Sequence, residues 1–279
     1  MFDGTVKAIA DAIPLAIVAS TPLLLAVQGE LAVQRSGIIN LGIEGMMLAA
    51  ALAAAFTAHA TASVAAGFLG GIAGAALVAL LFGLFVIVLK ADQIVTGTAI
   101  NLLAAGATAF IYRELHLTSA LPRLAFDPIV PLAWIVFPVA LALLLWNTSF
   151  GLRLRAAGEN PDAIASSVRS HRALALLIEA VLAGLAGAYL SLGLSSGFAE
   201  NMTSGRGFIA LSIVIFGRWK VKGALAGTAI FGLAAVTQYT LQASSGLSYH
   251  LLLAVPYVLT LLILCGVAGR VRAPESLGR

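Results

Sequence analysis

Asn40 and Glu44 stand four residues apart in GIINLGIEGMML, residues 37–48, between segments built from Leu, Ala, Val and Ile. On a helix that spacing stacks an amide and a carboxylate on one face, where together they donate and accept hydrogen bonds to a polar solute. Gly37, Gly42 and Gly45 leave the surrounding backbone bare, so the helix can break there or a neighbour can approach closely. A carboxylate at mid-membrane costs about 2.5–3.5 kcal/mol even on the lenient insertion scale, so it must face protein, water or a partner. Two readings fit. In one, a discontinuous helix lines a substrate route, because freed backbone groups are tolerated only beside a cavity. In the other, Glu44 sits near the interface and caps or pairs locally, while the glycines serve helix packing.

A second polar set lies in DQIVTGTAINLLAAG, where Thr98 and Asn101 are three apart on one helical face. Threonine readily bonds its own backbone, so Asn101 is the more informative of the two. Asn40, Glu44, Thr98 and Asn101 form the expected substrate-pathway set. Glu179, inside LLIEAVLAGLAGAYL, is either a buried functional acid or a structural pairing group. The four histidines are scattered singly at segment ends, and no metal site is expected. One cysteine, Cys265, permits no intrachain disulfide. The chain contains no G-x-S-x-G, H-E-x-x-H or G-x-x-x-x-G-K-[ST] pattern, so it is not expected to be an enzyme, and any ATP used must be bound by a partner.

The elements that position these groups follow from composition. Of 279 residues, 61% are hydrophobic and 10% charged, which excludes an ordinary soluble domain. Apolar runs fall at about 9–29, 38–56, 63–89, 93–112, 130–146, 173–194, 207–217, 224–242 and 250–269. They predict an all-α integral membrane protein, a polytopic bundle of about nine transmembrane segments, with eight to ten as the range. The second segment is expected to be broken, and the seventh is too short to span the bilayer unaided. No removable signal peptide is expected from MFDGTVKAIA.

Alternating segments from an extracytoplasmic amino terminus place Arg35, Lys90, Arg153, Arg155, Arg169, Arg172, Arg218, Lys220, Lys222, Arg270, Arg272 and Arg279 inside. Lys7, Arg113, Arg123 and Arg206 remain outside, a twelve-to-four bias that puts the carboxyl terminus in the cytoplasm. This topology explains the net charge of +4 better than nucleic-acid binding, which would need an aromatic-interleaved basic patch. Trp134 and Trp146 bracket the fifth segment as interfacial anchors would. Residues 37–43 align without gaps to residues 207–213 while running the opposite way, so two inverted halves are allowed.

The inner loop GLRLRAAGENPDAIASSVRSHR, residues 151–172, carries its own order signal. Asn160 is a good cap, Pro161 suits the first helical position and Asp162 favours the positive helix end. A short helix from Pro161 to about Val168 is expected, and so short a helix needs something to dock on.

RSGIINLGIEGMML, ADQIVTGTAINLLA and GLRLRAAGENPDAI, in that order over residues 35 to about 190, resemble the permease subunits of bacterial ABC importers for branched-chain amino acids, simple sugars and nucleosides. The GIEGMML form is most similar to the nucleoside permeases that work beside basic-membrane-type lipoproteins. The resemblance implies a single transmembrane permease domain, residues 1–279, in a bacterial inner membrane. It also implies a second related permease in a heterodimer, an ATPase with two nucleotide-binding domains that holds ATP and Mg, and an extracytoplasmic substrate-binding protein. The coupling role falls on Arg155, Gly158, Glu159, Asn160, Pro161, Asp162 and Ala163. The chain departs from the family pattern at Ser167-Val168, where relatives usually carry Gly-Ile, and the exit from the coupling helix is affected. Two rival classes are an ion-coupled secondary transporter, which the broken second segment and Glu44 would also suit, and a passive channel, in which Glu44 and the glycines would be packing devices.

Overall fold

A computed structural model describes residues 2–115, 128–164, 167–195, 197–244 and 273–278. Among the described residues all regular structure is helical. The helices are α1 (Phe2–Arg35), α2 (Ile43–Thr61), α3 (Val64–Val88), α4 (Gln93–Leu115), α5 (Ile129–Asn147), α6 (Ser149–Glu159), α7 (Val168–Leu194), α8 (Arg206–Phe216) and α9 (Val221–Ser244). Six of these are long and apolar enough to cross a membrane, while α6 and α8 are short. The first eight expected segments therefore each have a helical counterpart, and the ninth, 250–269, lies outside the described residues.

α1 is the most enclosed span, packed against α7, α8 and α9, while α2 packs on α3, α7 and α4. Small residues allow this closeness. A Cβ at Gly184 of α7 would stand 2.6 Å from the Ile72 Cα of α3, so any larger residue there forces the helices apart. α4 and the outer side of α3 instead present Leu77, Val95, Leu102 and Phe110 outward, as lipid-facing surfaces do. Trp134 is not a free interfacial anchor. Its Nε1 donates 3.2 Å bonds to Ile17 O and Thr21 Oγ1, which ties α5 to α1.

The second segment is broken before its helix begins. α1 ends at Arg35, and residues 36–42 form a turn followed by non-helical chain that doubles back along α1. The Asn40 N–H reaches Glu30 Oε1 at 3.4 Å. Glu30 lies five residues before Arg35, so the chain has climbed back about 7.5 Å, at 1.5 Å per helical residue, before α2 starts. The aligned strings 37–43 and 207–213 differ in conformation, because the first is mostly non-helical and the second lies in α8.

The inner loop differs from expectation in the same way. Its main helix is α6, ahead of the expected one, and Pro161–Ile164 forms a single 3₁₀ turn. Thr148 caps α6, its hydroxyl accepting from Gly151 N at 3.0 Å. Gly151, Leu154, Ala157 and Gly158 bury one side of the helix. Leu, Arg and Ala are strong helix formers, so this run takes the helix, while Asn160 becomes its carboxyl cap and donates its N–H to Ala156 O. The chain from Pro161 is left with one turn.

Candidate functional site: a polar joint and the end below it

Glu44 lies in the first turn of α2, and its partners are backbone groups far away in sequence. Oε1 accepts from Gly205 N at 2.7 Å and Oε2 from Gly207 N at 2.6 Å. These N–H groups open α8, which would otherwise leave them unsatisfied. The carboxylate therefore joins two helix amino termini, each carrying partial positive charge. α8 has 11 residues, about 16 Å of helix, and residues 197–205 lead into it. That loop is fixed at its far end by Glu200, whose two carboxylate oxygens accept from Arg113 of α4 at 2.8 and 2.9 Å. The Arg113 hydrogen bonds hold the Glu200 carboxyl below the usual carboxylate range. Arg206, expected at an outer loop, instead sits beside the Glu44 joint and folds back onto Met202 O and Thr203 O.

Asn40 is fully buried. Its Oδ1 accepts from Gly42 N at 2.9 Å, which shapes the turn into α2, and its Nδ2 donates to Glu179 Oε2 at 2.7 Å. Glu179 thus takes the pairing role on α7. Beside it lies Glu30, whose Oε1 accepts from Gln34 Nε2 at 2.8 Å. Glu30 Oε2 and Glu179 Oε1 are buried and meet no donor among the described residues. Glu30 and Gln34 were outside the expected site because the apolar run was closed at residue 29. The signal present in the sequence was the resumed apolar LAV before Gln34 and Arg35.

Asn101 of α4 closes the break from the other side. Its Oδ1 accepts from Gly45 N at 2.8 Å and its Nδ2 donates to Leu41 O at 2.7 Å. A Cβ at Gly45 would stand 3.1 Å from that Oδ1, so a larger residue there would press on Asn101. Gly37 has φ of 92°, a left-handed conformation that glycine adopts without strain. Gly42 caps the amino terminus of α2. The structure brings Asn40, Glu44 and Asn101 to one joint and leaves Thr98 out of it. The Thr98 hydroxyl donates to Ile94 O at 2.8 Å on the exposed face of α4.

The arginine-rich end hangs directly from this joint. Gly158, at the end of α6, packs so closely on Arg35 O and Gly37 N that a side chain would collide with the carbonyl. Glu159 pairs with Arg35 at 3.7 Å, and the guanidinium groups of Arg35 and Arg155 lie 5.7 and 5.8 Å from the Trp146 ring centroid. Arg35 Nε also donates to Trp219 O, just after α8, at 2.8 Å. Ser276 N donates to Gly158 O at 2.8 Å and Gly278 N to Gly37 O at 3.1 Å, so residues 273–278 strap α6 to the turn before the broken segment. Glu159, Asn160, Asp162 and Ala163 remain exposed beyond the strap, with Pro161 half-buried among them.

A helical bundle with one interrupted span, one half-length helix and a short helix-turn at a basic end has the form of a multi-pass membrane transport component. The family described as "Branched-chain amino acid transport system / permease component" matches residues 12–264, and the chain belongs to that family. It is 31% identical to the guanosine ABC transporter permease protein NupQ of Bacillus subtilis, over 95% of this chain and 94% of that protein. It is 29% identical to the nucleoside ABC transporter permease protein NupC of Lactococcus lactis subsp. cremoris, over 94% and 93% respectively. Identity reaches 34% with a putative glucose ABC transporter permease protein of Haloferax volcanii, over 81% of this chain and 76% of that protein. No solved structure matches the chain.

Proposed function

We propose that the chain is one half of the membrane core of an ATP-driven nucleoside importer in a bacterial inner membrane. Two relatives that align over nearly its whole length are named for guanosine or nucleoside transport, and a third for glucose. Their cargoes share a hydroxyl-rich sugar ring. The partners in this reading are a second, different permease, an ATPase with two nucleotide-binding domains carrying ATP and Mg, and an extracytoplasmic binding protein. The arginine-rich end faces the cytoplasm, in keeping with the distribution of positive charge. The amino terminus faces outside.

The observation that carries the mechanism is the rigid link between the exposed turn at Pro161–Ile164 and the broken segment, made by Gly158 against Arg35 and Gly37. A push on that turn when nucleotide domains close is delivered to the base of the non-helical stretch and, through Arg35 and Trp219, to the end of α8. Both half-structures then move about the Glu44 joint. Asn40 and Asn101 keep the broken backbone satisfied during the movement, and the route for cargo runs beside Glu44. The amino termini of α2 and α8, facing each other across Glu44, are the counterparts in two inverted halves.

The test is uptake by proteoliposomes containing both permeases, the ATPase and the binding protein. Replacing Glu159 and Asp162 together by alanine is expected to cut nucleoside uptake and substrate-stimulated ATP hydrolysis by roughly tenfold or more, as loss of an interface anchor does. Unchanged rates would remove the docking role. Uptake by this chain alone, abolished by an ionophore, would replace the whole reading with ion-coupled transport.

A further inference from the structure

Two hollows meet on the outer surface where the end of α3 lies against the start of α7. One, about 350 Å³, is apolar and runs between Leu80 and Leu84 on one side and Leu176 and Leu177 on the other. The second, about 310 Å³, lies at the arginine-rich end and is lined by Lys90, Arg169 and Arg172. Ile87 lines both, so the apolar hollow and the cationic one adjoin at that side chain. Local backbone creates this shape. Residues Leu84–Val88 form a wide π-helical turn, and Lys90 follows in a left-handed conformation with φ of 57°, turning the chain away from α7. Gly83 adds no side chain to fill the space, and a Cβ there would meet only Leu176 Cδ2 at 3.0 Å and Ile87 Cδ1 at 3.9 Å.

The cationic end is unneutralised. Among the described residues no carboxylate pairs with Lys90, Arg169 or Arg172. Asp92, the nearest acid in sequence, has its Oδ1 engaged by the Ile94 and Val95 N–H groups at the start of α4. Arg172 donates through Nε to Ser36 O and through Nη2 to the Ser276 hydroxyl, which uses two of its five N–H donors. Lys90 and Arg169 are both exposed. Three cations at the mouth of a hydrocarbon-lined groove, at the level where a span leaves the membrane, complement a phosphate carried on an acyl chain.

We propose that this groove binds one anionic phospholipid, its phosphate held among Lys90, Arg169 and Arg172 and one chain lying between α3 and α7. A soluble anion would account for the cationic end alone and leave the apolar arm empty. The bound lipid bridges α3 to the first turn of α7, immediately after the Pro161–Ile164 turn. The site thus rests on the orientation proposed above only for naming the leaflet as cytoplasmic. Its occupancy is read without ATPase or cargo, so it stands or falls separately from transport.

The experiment is native mass spectrometry of the purified full chain from nanodiscs containing phosphatidylglycerol or phosphatidylcholine with identical acyl chains. The unaltered chain is expected to retain one phosphatidylglycerol in clear preference to phosphatidylcholine. Lys90→Gln with Arg169→Gln should lower phosphatidylglycerol retention about 30-fold, the effect of removing two cations near a membrane surface. Lys90→Arg, which keeps the charge, should leave retention as in the unaltered chain. Ala173→Phe, which fills the apolar arm, should lower retention of both lipids. Equal retention of the two lipids, unchanged retention in the double variant, or displacement of the lipid by millimolar inorganic phosphate would each overturn the proposal. Circular dichroism melts of each variant distinguish lost binding from lost fold.

Discussion

The Glu44 joint and the Pro161–Ile164 turn lie at two levels of the same bundle and treat polar groups in opposite ways. At the joint, Asn40, Glu44 and Asn101 each turn side-chain atoms to a partner outside their own segment, Glu179, Gly205 and Gly45 respectively. At the turn, Glu159, Asn160, Asp162 and Ala163 stand exposed, and Arg35 is the only ion-pair partner among the described residues. A polar group buried in hydrocarbon without a partner costs several kcal/mol, so the first region is built to hold its shape. The second is built to be touched. Substitutions should therefore act on stability above and on coupling below.

The largest effect is expected from Glu44→Ala. It strips the Gly205 and Gly207 N–H groups of their acceptor, and at about 1–3 kcal/mol for each orphaned donor the fold should lose roughly 2–6 kcal/mol. Thermal unfolding in detergent would measure this, and a variant as stable as the original would erase the contrast between the regions. Glu44→Gln keeps one acceptor oxygen and should fall midway. Asn101→Ala comes next, at about 1–3 kcal/mol, because Gly45 N–H and Leu41 O lose their shared partner. Asn101→Asp restores the acceptor and not the donor, and recovery of full stability by it would show that Leu41 O needs no partner.

Asp162→Ala should leave stability within about 0.5 kcal/mol, as exposed substitutions do, while lowering ATP-driven uptake. A drop in melting temperature comparable to that of Glu44→Ala would mean that the turn is structural. The smallest effect belongs to Arg113→Ala. The Arg113–Glu200 pair is exposed, and its removal should shift unfolding only slightly, by the same amount across pH 6 to 8. Because the Glu200 pKa is depressed in the folded chain, whatever the pair contributes is present above the ordinary carboxylate pKa, about 4.3. It is lost as pH falls through the lower folded value, so any difference from the original chain should be present at neutral pH and vanish in acid.

The helices and the break were legible because both depend on local chemistry. Apolar runs of sufficient length locate spans, and an Asn, a Glu and three glycines in one such run mark where a helix cannot continue undisturbed. What Glu44 touches was not legible. Its partners are backbone N–H groups more than 160 residues away, and a backbone donor leaves no trace in residue type. Glu30 was not legible because a hydropathy window closes at an acidic residue, whereas its partner Asn40 comes from a different segment. The coupling loop was misjudged for the opposite reason. Asn160-Pro161-Asp162 is a strong local start signal, but the helix-favouring run before it claimed the Asn as a terminus.

The position of Glu44 between two helix beginnings also sets the electric character of the joint. Each beginning carries roughly half a positive elementary charge, so the pair nearly cancels the carboxylate's monopole. If the proposed route runs beside Glu44, an uncharged solute passing it would feel short dipoles and no long-range pull, and uptake would be insensitive to ionic strength.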